Sequence, residues 1–270
     1  MNNLNEKLSL QEEQELEFQI LLNVDAFCKS NNIKYSLYAG TMLGAIRHKG
    51  FIPWDDDIDI LMTRENYNKF ISTYKSNENY SLVNYSNNPD CTGILFSKIF
   101  DNNTDAEEPN TKKIPGEGVW LDIFPFDFVS DNKFKRKITA FHFMLISKII
   151  YSRTTKHNSF AYKILKLLFF WKTNKSLYTS LDKYSKKVKP SNFVKDLTMI
   201  NGRDFIRDKK FPASLFLEYA EVEFMNFKFP CLKQFKEVLT IEFGDYMTLP
   251  PINQRYSHSM EAYRKNKKNT

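Results

Sequence analysis

Five residues, Asp55-Asp56-Asp57-Ile58-Asp59, do most to restrict what this chain can become. The stretch DIDILM (57–62) sets acids against Ile and Leu in alternation, which predicts a β-strand. Alternate residues of a strand share a face at a spacing of about 6.6–7 Å. Asp57 and Asp59 therefore project together, while Ile58 and Ile60 point into packing. Two carboxylates held side by side on rigid backbone repel unless a cation lies between them. A hard divalent ion resolves the conflict, and Mg²⁺ (or Mn²⁺) keeps coordination positions open for substrate phosphates. Asp122, in VWLDIF (119–124), has a similar setting between Leu121 and Ile123. Three convergent carboxylates can hold metal that activates an oxygen nucleophile and stabilises a leaving oxygen. The pattern points to metal-dependent phosphoryl or nucleotidyl transfer, with Asp57, Asp59 and Asp122 as ligands. Asp55 and Asp56 read equally well as a turn and cap, and Asp122 taken alone as an ordinary strand acid.

Upstream, Gly40-Thr41 lies where a predicted strand, IKYSLY (33–38), turns into a helix bearing Met42, Leu43, Ala45 and Ile46. Glycine allows close backbone approach, and a helix N-terminus offers unpaired N–H groups to an anion. Thr41 is the expected cap of that helix. Arg47 and His48 leave the same helix and are candidates to reach a phosphate, or form a solvated helix end. Lys98 alternates with Phe96 and Phe100 on a predicted strand; it either snorkels or neutralises substrate phosphate.

A chain of 270 residues, 42% hydrophobic, can bury one substantial core with a smaller lobe. Ser9 and Glu12 predict a capping box that opens a long first helix ending near Asn31. Thr63 is expected to cap a further helix, and strands are expected at 80–85, 94–100 and 119–124. A hairpin at 221–229 and a helix from Lys233 to Phe243, closed by Gly244, complete the C-terminal part. The fold class is α/β (α+β), divided as a core at 1–130, a basic helical segment at 131–203, and a C-terminal portion at 204–270. The tail from Tyr263 is expected to fray.

Charge is distributed unevenly. Between Asn132 and Pro190 fifteen Lys or Arg face one acid, Asp182, although the whole chain carries only +7. Two apolar runs, 141–150 and 162–171, lie in this stretch, and both fall short of the ~18–20 residues that span a bilayer. Such helices suit peripheral contact with an anionic membrane, or serve as ordinary core helices with solvated lysines; nucleic acid is the least favoured partner. Cys28, Cys91 and Cys231 form no metal or disulfide spacing. With no basic, apolar leader at its start, the chain is expected in the cytoplasm.

A Gly-Thr, an Asp-x-Asp strand and a further strand acid together resemble the polymerase-β-like nucleotidyltransferase superfamily. Within it, GTMLGAIRHKGFIPWDDDIDILMTRENYNKF (40–70) is similar to the signature block of the LicD family of phosphorylcholine transferases. SKIFDNNT (97–104), VWLDIFPFD (119–127), EFGDYMTLPP (242–251) and RYSHS (255–259) agree with it, and 131–203 matches poorly. The resemblance implies a nucleotidyltransferase-like mixed sheet flanked by helices. It also implies transfer of phosphocholine, or a related phospho-alcohol, from a CDP-activated donor such as CDP-choline. The acceptor would be a hydroxyl of a cell-surface glycan precursor of teichoic acid or lipopolysaccharide type, lipid-linked at the inner face of the membrane. The fukutin-type proteins, which handle CDP-ribitol, share the block. Asp57, Asp59 and Asp122 would hold the metal, and Asp122 would take the acceptor proton. Gly40 and Thr41 would cradle donor phosphate, with Arg47, His48 and Lys98 offsetting charge as CMP departs. Trp54, Trp120, Phe124 and Phe126 are candidates for a choline cage, though each reads better as core; His258 receives no role. The alternative reading is a nucleotidyltransferase that adds a nucleoside monophosphate to a small acceptor.

Overall fold

The computed structural model describes residues 6–88, 95–109, 111–157, 159–187, 189–255, 257 and 260–265. After a short strand β1 (Glu6–Lys7), Ser9 and Glu12 form the expected reciprocal cap and open α1 (Leu10–Ser30). The helix buries Ile20, Leu21, Val24 and Cys28 and ends at Asn31. Next come β2 (Ser36–Leu37), α2 (Ala39–His48), β3 (Ile58–Thr63) and α3 (Arg64–Thr73). They are followed by β4 (Tyr80–Val83), β5 (Ser97–Asp101), β6 (Thr104–Glu107) and β7 (Trp120–Val129). The middle of the chain forms α4 (Lys133–Thr154), α5 (Phe160–Leu168), α6 (Asn174–Lys187), β8 (Phe193–Asp196) and α7 (Gly202–Arg207). Then follow β9 (Phe211–Pro212), β10 (Tyr219–Phe224), β11 (Phe227–Leu232), α8 (Phe235–Phe243) and β12 (Glu261–Arg264).

This is a mixed α/β fold, as expected, and β7 organises it. Its sequence WLDIFPFDFV is almost entirely apolar and all but one of its residues are buried, the mark of a strand covered on both faces. Along one side it runs parallel to β3 from Ile58↔Leu121 to Thr63↔Phe126. On the other side its first half pairs with β5, up to Ser97↔Ile123, and its second half pairs with β8 from Phe126↔Asp196. Pro125, which has no N–H to donate, falls at the changeover between those two partners. Strands β2 and β4 flank the path β2-β3-β7-β5-β4, and β9 extends β8.

Several expectations need correction. Besides α4, α5, α6 and the start of α7, the segment 131–203 contains β8, a strand not expected there, which joins the main sheet. The strand at 33–38 shrinks to Ser36–Leu37, and β7 continues five residues past Phe124. The N-cap of α2 is Tyr38 and not Thr41; Thr63 does occupy the N-cap position of α3, with its hydroxyl accepting from the Asn66 side chain and not from helix backbone. Tyr263 and Arg264 do not fray but form β12, which lies between β1 and β6 in a second sheet. Cys91, His258 and residues 266–270 lie outside the described residues. The hairpin β10–β11 turns at Met225 and Asn226, both with positive φ (52° and 65°), as a two-residue turn between twisted strands requires.

The main core packs α1, α2, α3, α8 and the hairpin on the sheet. A second cluster, built on Val129, Phe143, Ile146, Ile150, Tyr178 and Leu181, belongs to the helical lobe. The start of α3 is fixed to β7 by Arg64, which donates to both Asp127 carboxylate oxygens at 2.7 and 2.6 Å. The Asp127 side chain is only 1% exposed, so losing the guanidinium strands a buried charge. Arg64→Leu is expected to cost about 3–5 kcal/mol in urea unfolding, most of it regained in Arg64→Leu/Asp127→Leu. Equal loss in both variants would refute the charge argument.

Candidate active site

Strand register assembles the site. Asp59 of β3 lies opposite Asp122 of β7, and Lys98 of β5 lies opposite the same Asp122. Neighbouring strands are about 4.8 Å apart, so acid, acid and cation form one row across three strands. The sequence pattern finds each member; the pairing of strands puts them in line.

The turn from β2 into α2 grips Asp59 by its backbone. Thr41 Oγ1 accepts from the Asp59 N–H at 2.8 Å, and the Tyr38 N–H donates to the Asp59 carbonyl at 2.9 Å. Thr41 is 2% exposed; its hydroxyl positions a carboxylate-bearing strand, which differs from the expected phosphate cradle. Gly40 does line the cavity, and its missing side chain has a purpose there: a Cβ would stand 2.6 Å from Asp55 Oδ2.

The four acids of the run divide. Asp55, Asp57 and Asp59 line one cavity of about 810 Å³, together with Asp122 and Lys98. Asp56 turns away: it is buried, and its Oδ2 accepts the Met260 N–H at 3.1 Å, tying the segment before β12 to the run.

Lys98 does not snorkel. It is 2% exposed, with Nζ 3.0 Å from Asp122 Oδ1, 3.2 Å from Oδ2 and 3.5 Å from Glu108 Oε1. The ammonium also lies 4.1 Å from the centre of the Trp120 ring. Burial opposes its charge, but Asp122 and Glu108 outweigh burial and hold its pKa above the ordinary value. Only Oδ2 of Asp122 receives a well-directed hydrogen bond; Oδ1 is buried without one.

Burial lifts the Asp122 carboxyl to about 7 against the lowering pull of Lys98. Burial, then Asp57 and Asp122, drives Asp59 well above the ordinary carboxylate range. Helix α1 adds two acids that reading by motif misses. Glu17 is fully buried, and neither of its oxygens has a hydrogen-bond partner among the described residues. Burial, then Asp57 and Asp56, raises it strongly; Glu13 beside it rises to about 7, through burial and Asp56. Helical periodicity places both on the buried stripe of α1 with Leu21, Val24 and Cys28, a signal that motif matching passes over.

Arg47 and His48 do not join the site. They lie at the far end of α2 and do not line the cavity; Arg47 donates to His48 Nε2 (2.9 Å) and to the Tyr246 carbonyl (3.0 Å). The aromatic expectations divide as well. Trp120 and Phe124 line the cavity, whereas Trp54 carries Arg255 over its ring at 4.9 Å and Phe126 packs against Phe211 and Phe216. Residues the motifs do not reveal complete the wall, Glu108 and Glu117 with Ser147, Lys148 and Tyr151 of α4; Glu242 and Phe243 of α8, which open the EFGDYMTLPP segment, line it too.

Among the described residues no three His, Cys, Asp or Glu side chains are gathered closely enough to hold a metal ion as they stand. The donor set still fits a divalent ion. It offers hard oxygen ligands only, in mutually repelling pairs, and Asp122 Oδ1 is a buried acceptor without a directed donor. Asp57, Asp59 and Asp122 are the residues that would hold it.

Paired strand acids opposite a buried lysine, under a helix turn at Gly40-Thr41, define a nucleotidyltransferase-type site. The family described as "LicD/FKTN/FKRP, nucleotidyltransferase domain" matches residues 32–149. The lipopolysaccharide cholinephosphotransferase LicD of Haemophilus influenzae is 32% identical over 95% of this chain and 98% of its own length. Uncharacterized proteins of Rickettsia prowazekii and Rickettsia typhi are each 46% identical over 48 residues, 18% of this chain and 18% and 16% of theirs. The chain belongs to the LicD family and is an enzyme of the phosphotransferase class.

The raised carboxyls predict an unusual pH dependence. Between the ordinary Asp value of 3.8 and about 7, the folded chain keeps protons that the unfolded chain has released. Stability therefore falls as pH rises through that window. Each tenfold gain in a carboxyl's proton affinity on folding corresponds to about 1.4 kcal/mol lost in this way. Without divalent ions the melting temperature should drop from pH 5 to pH 8, and Asp59→Asn should flatten that slope. A slope unchanged by Asp59→Asn would remove the group from the account.

Proposed function

We propose that this enzyme transfers phosphocholine, or a closely related phospho-alcohol, from a CDP-activated donor to a hydroxyl of a cell-surface glycan precursor. The observation that carries the reading is the row of Asp59, Asp122 and Lys98 on the floor of one cavity. Similarity to the Haemophilus cholinephosphotransferase over nearly the whole of both chains supports the choice of group transferred. A cavity of about 810 Å³ is also of the size that encloses a nucleotide-linked small alcohol.

Bound Mg²⁺ or Mn²⁺, held by Asp57, Asp59 and Asp122, would neutralise charge on the donor diphosphate. The residues supply the rest. Asp122, whose carboxyl is raised by burial in the metal-free protein, is the candidate to accept the proton of the acceptor hydroxyl. The acceptor oxygen bonds to the phosphorus that bears the alcohol, the bond from that phosphorus to CMP breaks, and CMP leaves. Lys98 fixes the orientation of Asp122 and keeps positive charge beside the developing anion. Gly40 lets backbone approach the donor. Phe96, Phe124, Tyr151 and Phe243 offer aromatic surface to a quaternary ammonium; the Trp120 ring is taken by Lys98. The acceptor would be lipid-linked, and the enzyme would work in the cytoplasm against the inner face of the membrane.

Labelled CDP-choline with Mg²⁺ and candidate glycans tests the reaction: CMP release with label on the acceptor supports it. Labelled phosphocholine released free, with CMP joined to the acceptor, would indicate nucleotidyl transfer in its place. Asp57→Asn and Asp59→Asn should each lower turnover by roughly a thousandfold or more while the melting temperature at pH 8 does not fall. Near-normal turnover in either variant would overturn the metal assignment.

A further inference from the structure

Helix α5 is amphipathic in sequence but inverted in the fold. None of its residues is buried. Phe160, Ile164, Leu167 and Leu168 recur at helical spacing and are 78%, 40%, 72% and 53% exposed. The chain then continues into Phe170 and Trp171, 76% and 61% exposed. A nine-residue helix is about 13 Å long, so these six side chains form one apolar ridge, far more than scattered surface residues explain.

The helix is held from behind. Leu165 and Phe169 pack on the core of the helical lobe, and Tyr162 meets the Tyr151 ring of α4 edge-on at 5.7 Å. Lys163 and Lys166 occupy the flank between the docked side and the ridge, and Lys172 and Lys175 follow it. The whole stretch from 132 to 190 has fifteen basic residues and one acid. That balance decides the occupant. A second copy of this chain would bring the same positive surface face to face in a symmetric contact, which repels. An anionic bilayer satisfies both halves of the surface: the ridge enters the acyl boundary and the lysines meet the headgroups. Among the described residues no helix is long and apolar enough to cross a membrane, so contact would be from one side.

We infer that α5 and the Phe170-Trp171 step form a membrane-docking ridge for anionic lipid. Its position serves the cavity, because Tyr151, the ring against which α5 rests, also lines the wall beside Asp122 and Lys98. A docked ridge presents that wall to the bilayer surface. The inference rests on the lobe and its charge, and stands independently of which group the enzyme transfers.

Co-sedimentation of the full chain with phosphatidylcholine vesicles, with and without about 30 mol % of the anionic lipid phosphatidylglycerol, tests it. Binding should require phosphatidylglycerol, and Trp171 emission should shift to the blue on binding. Phe170→Ser/Trp171→Ser and Lys163→Glu/Lys166→Glu should each weaken binding roughly tenfold or more. All four positions are exposed, so the fold and CMP release with a water-soluble acceptor should be unchanged. Equal binding to both vesicle types, or full binding by either variant, would overturn the proposal. So would a concentration-dependent dimer abolished by Phe170→Ser/Trp171→Ser, which would assign the ridge to a second copy. Loss of vesicle binding with intact CMP release separates docking from catalysis; absent CMP release with intact binding would count against the transfer reading alone.

Discussion

Two carboxylates, Asp59 and Asp122, buried on adjacent parallel strands, are the constraint around which the molecule is arranged. Left alone they would repel and take up protons, and their raised pKa values express that conflict. The fold holds them together by gripping backbone, which has no charge to neutralise. Thr41 and Tyr38 fasten Asp59 at both its N–H and its carbonyl, and Asp122 sits in the central strand, paired on both sides. Side-chain compensation is partial. Lys98 pairs with Asp122 and Glu108 and only weakly offsets the repulsion on Asp59, while Glu17 has no hydrogen-bond partner among the described residues.

That imbalance is useful to a phosphotransferase. Lys98 limits the negative potential on the Asp122 side. The side toward Asp57, Glu17 and Glu13 keeps an excess of acid, which suits a cation better than it suits a phosphate. A binding step that brings metal with the anionic donor would therefore relieve repulsion already present in the fold. Preorganisation of this kind places the cost in folding and leaves less reorganisation for the reaction itself.

How much of the fold and site is legible in the sequence depends on whether the information is local. Alternation in DIDILM and VWLDIF suffices to put Asp59 and Asp122 on strands, because period two is a local property. Ser9 and Glu12 announce a helix start for the same reason. Lys98 shows as a cation among aromatics, but its service to Asp122 depends on β5 pairing with β7, which no local pattern records. Thr41 looks like a cap and acts as a backbone anchor; Arg47 and His48 look well placed and lie a whole helix away from the acids. Glu17 is the clearest loss: periodicity puts it on the buried stripe of α1, but nothing local tells that this stripe lies beside an acidic loop forty residues on. β8 is hidden by its basic, helix-rich surroundings, and becomes a strand because β7 offers it an unpaired edge beyond Pro125.

The same strand explains why a lobe with its own core belongs to the catalytic unit. β7 runs past the site, changes partner from β5 to β8, and ends in Val129, which is already part of the lobe's core cluster. α4 begins four residues later and returns along the cavity, where Ser147, Lys148 and Tyr151 form one wall. A helix fixed at its root by the catalytic strand cannot drift from the acids without unpairing that strand. α5 rests on α4 through the Tyr162 and Tyr151 rings, so the surface it presents is tied to the wall of the cavity. A basic, apolar lobe inserted here, directly after β7, links the position of a surface to the position of Asp122 by way of β7 and α4.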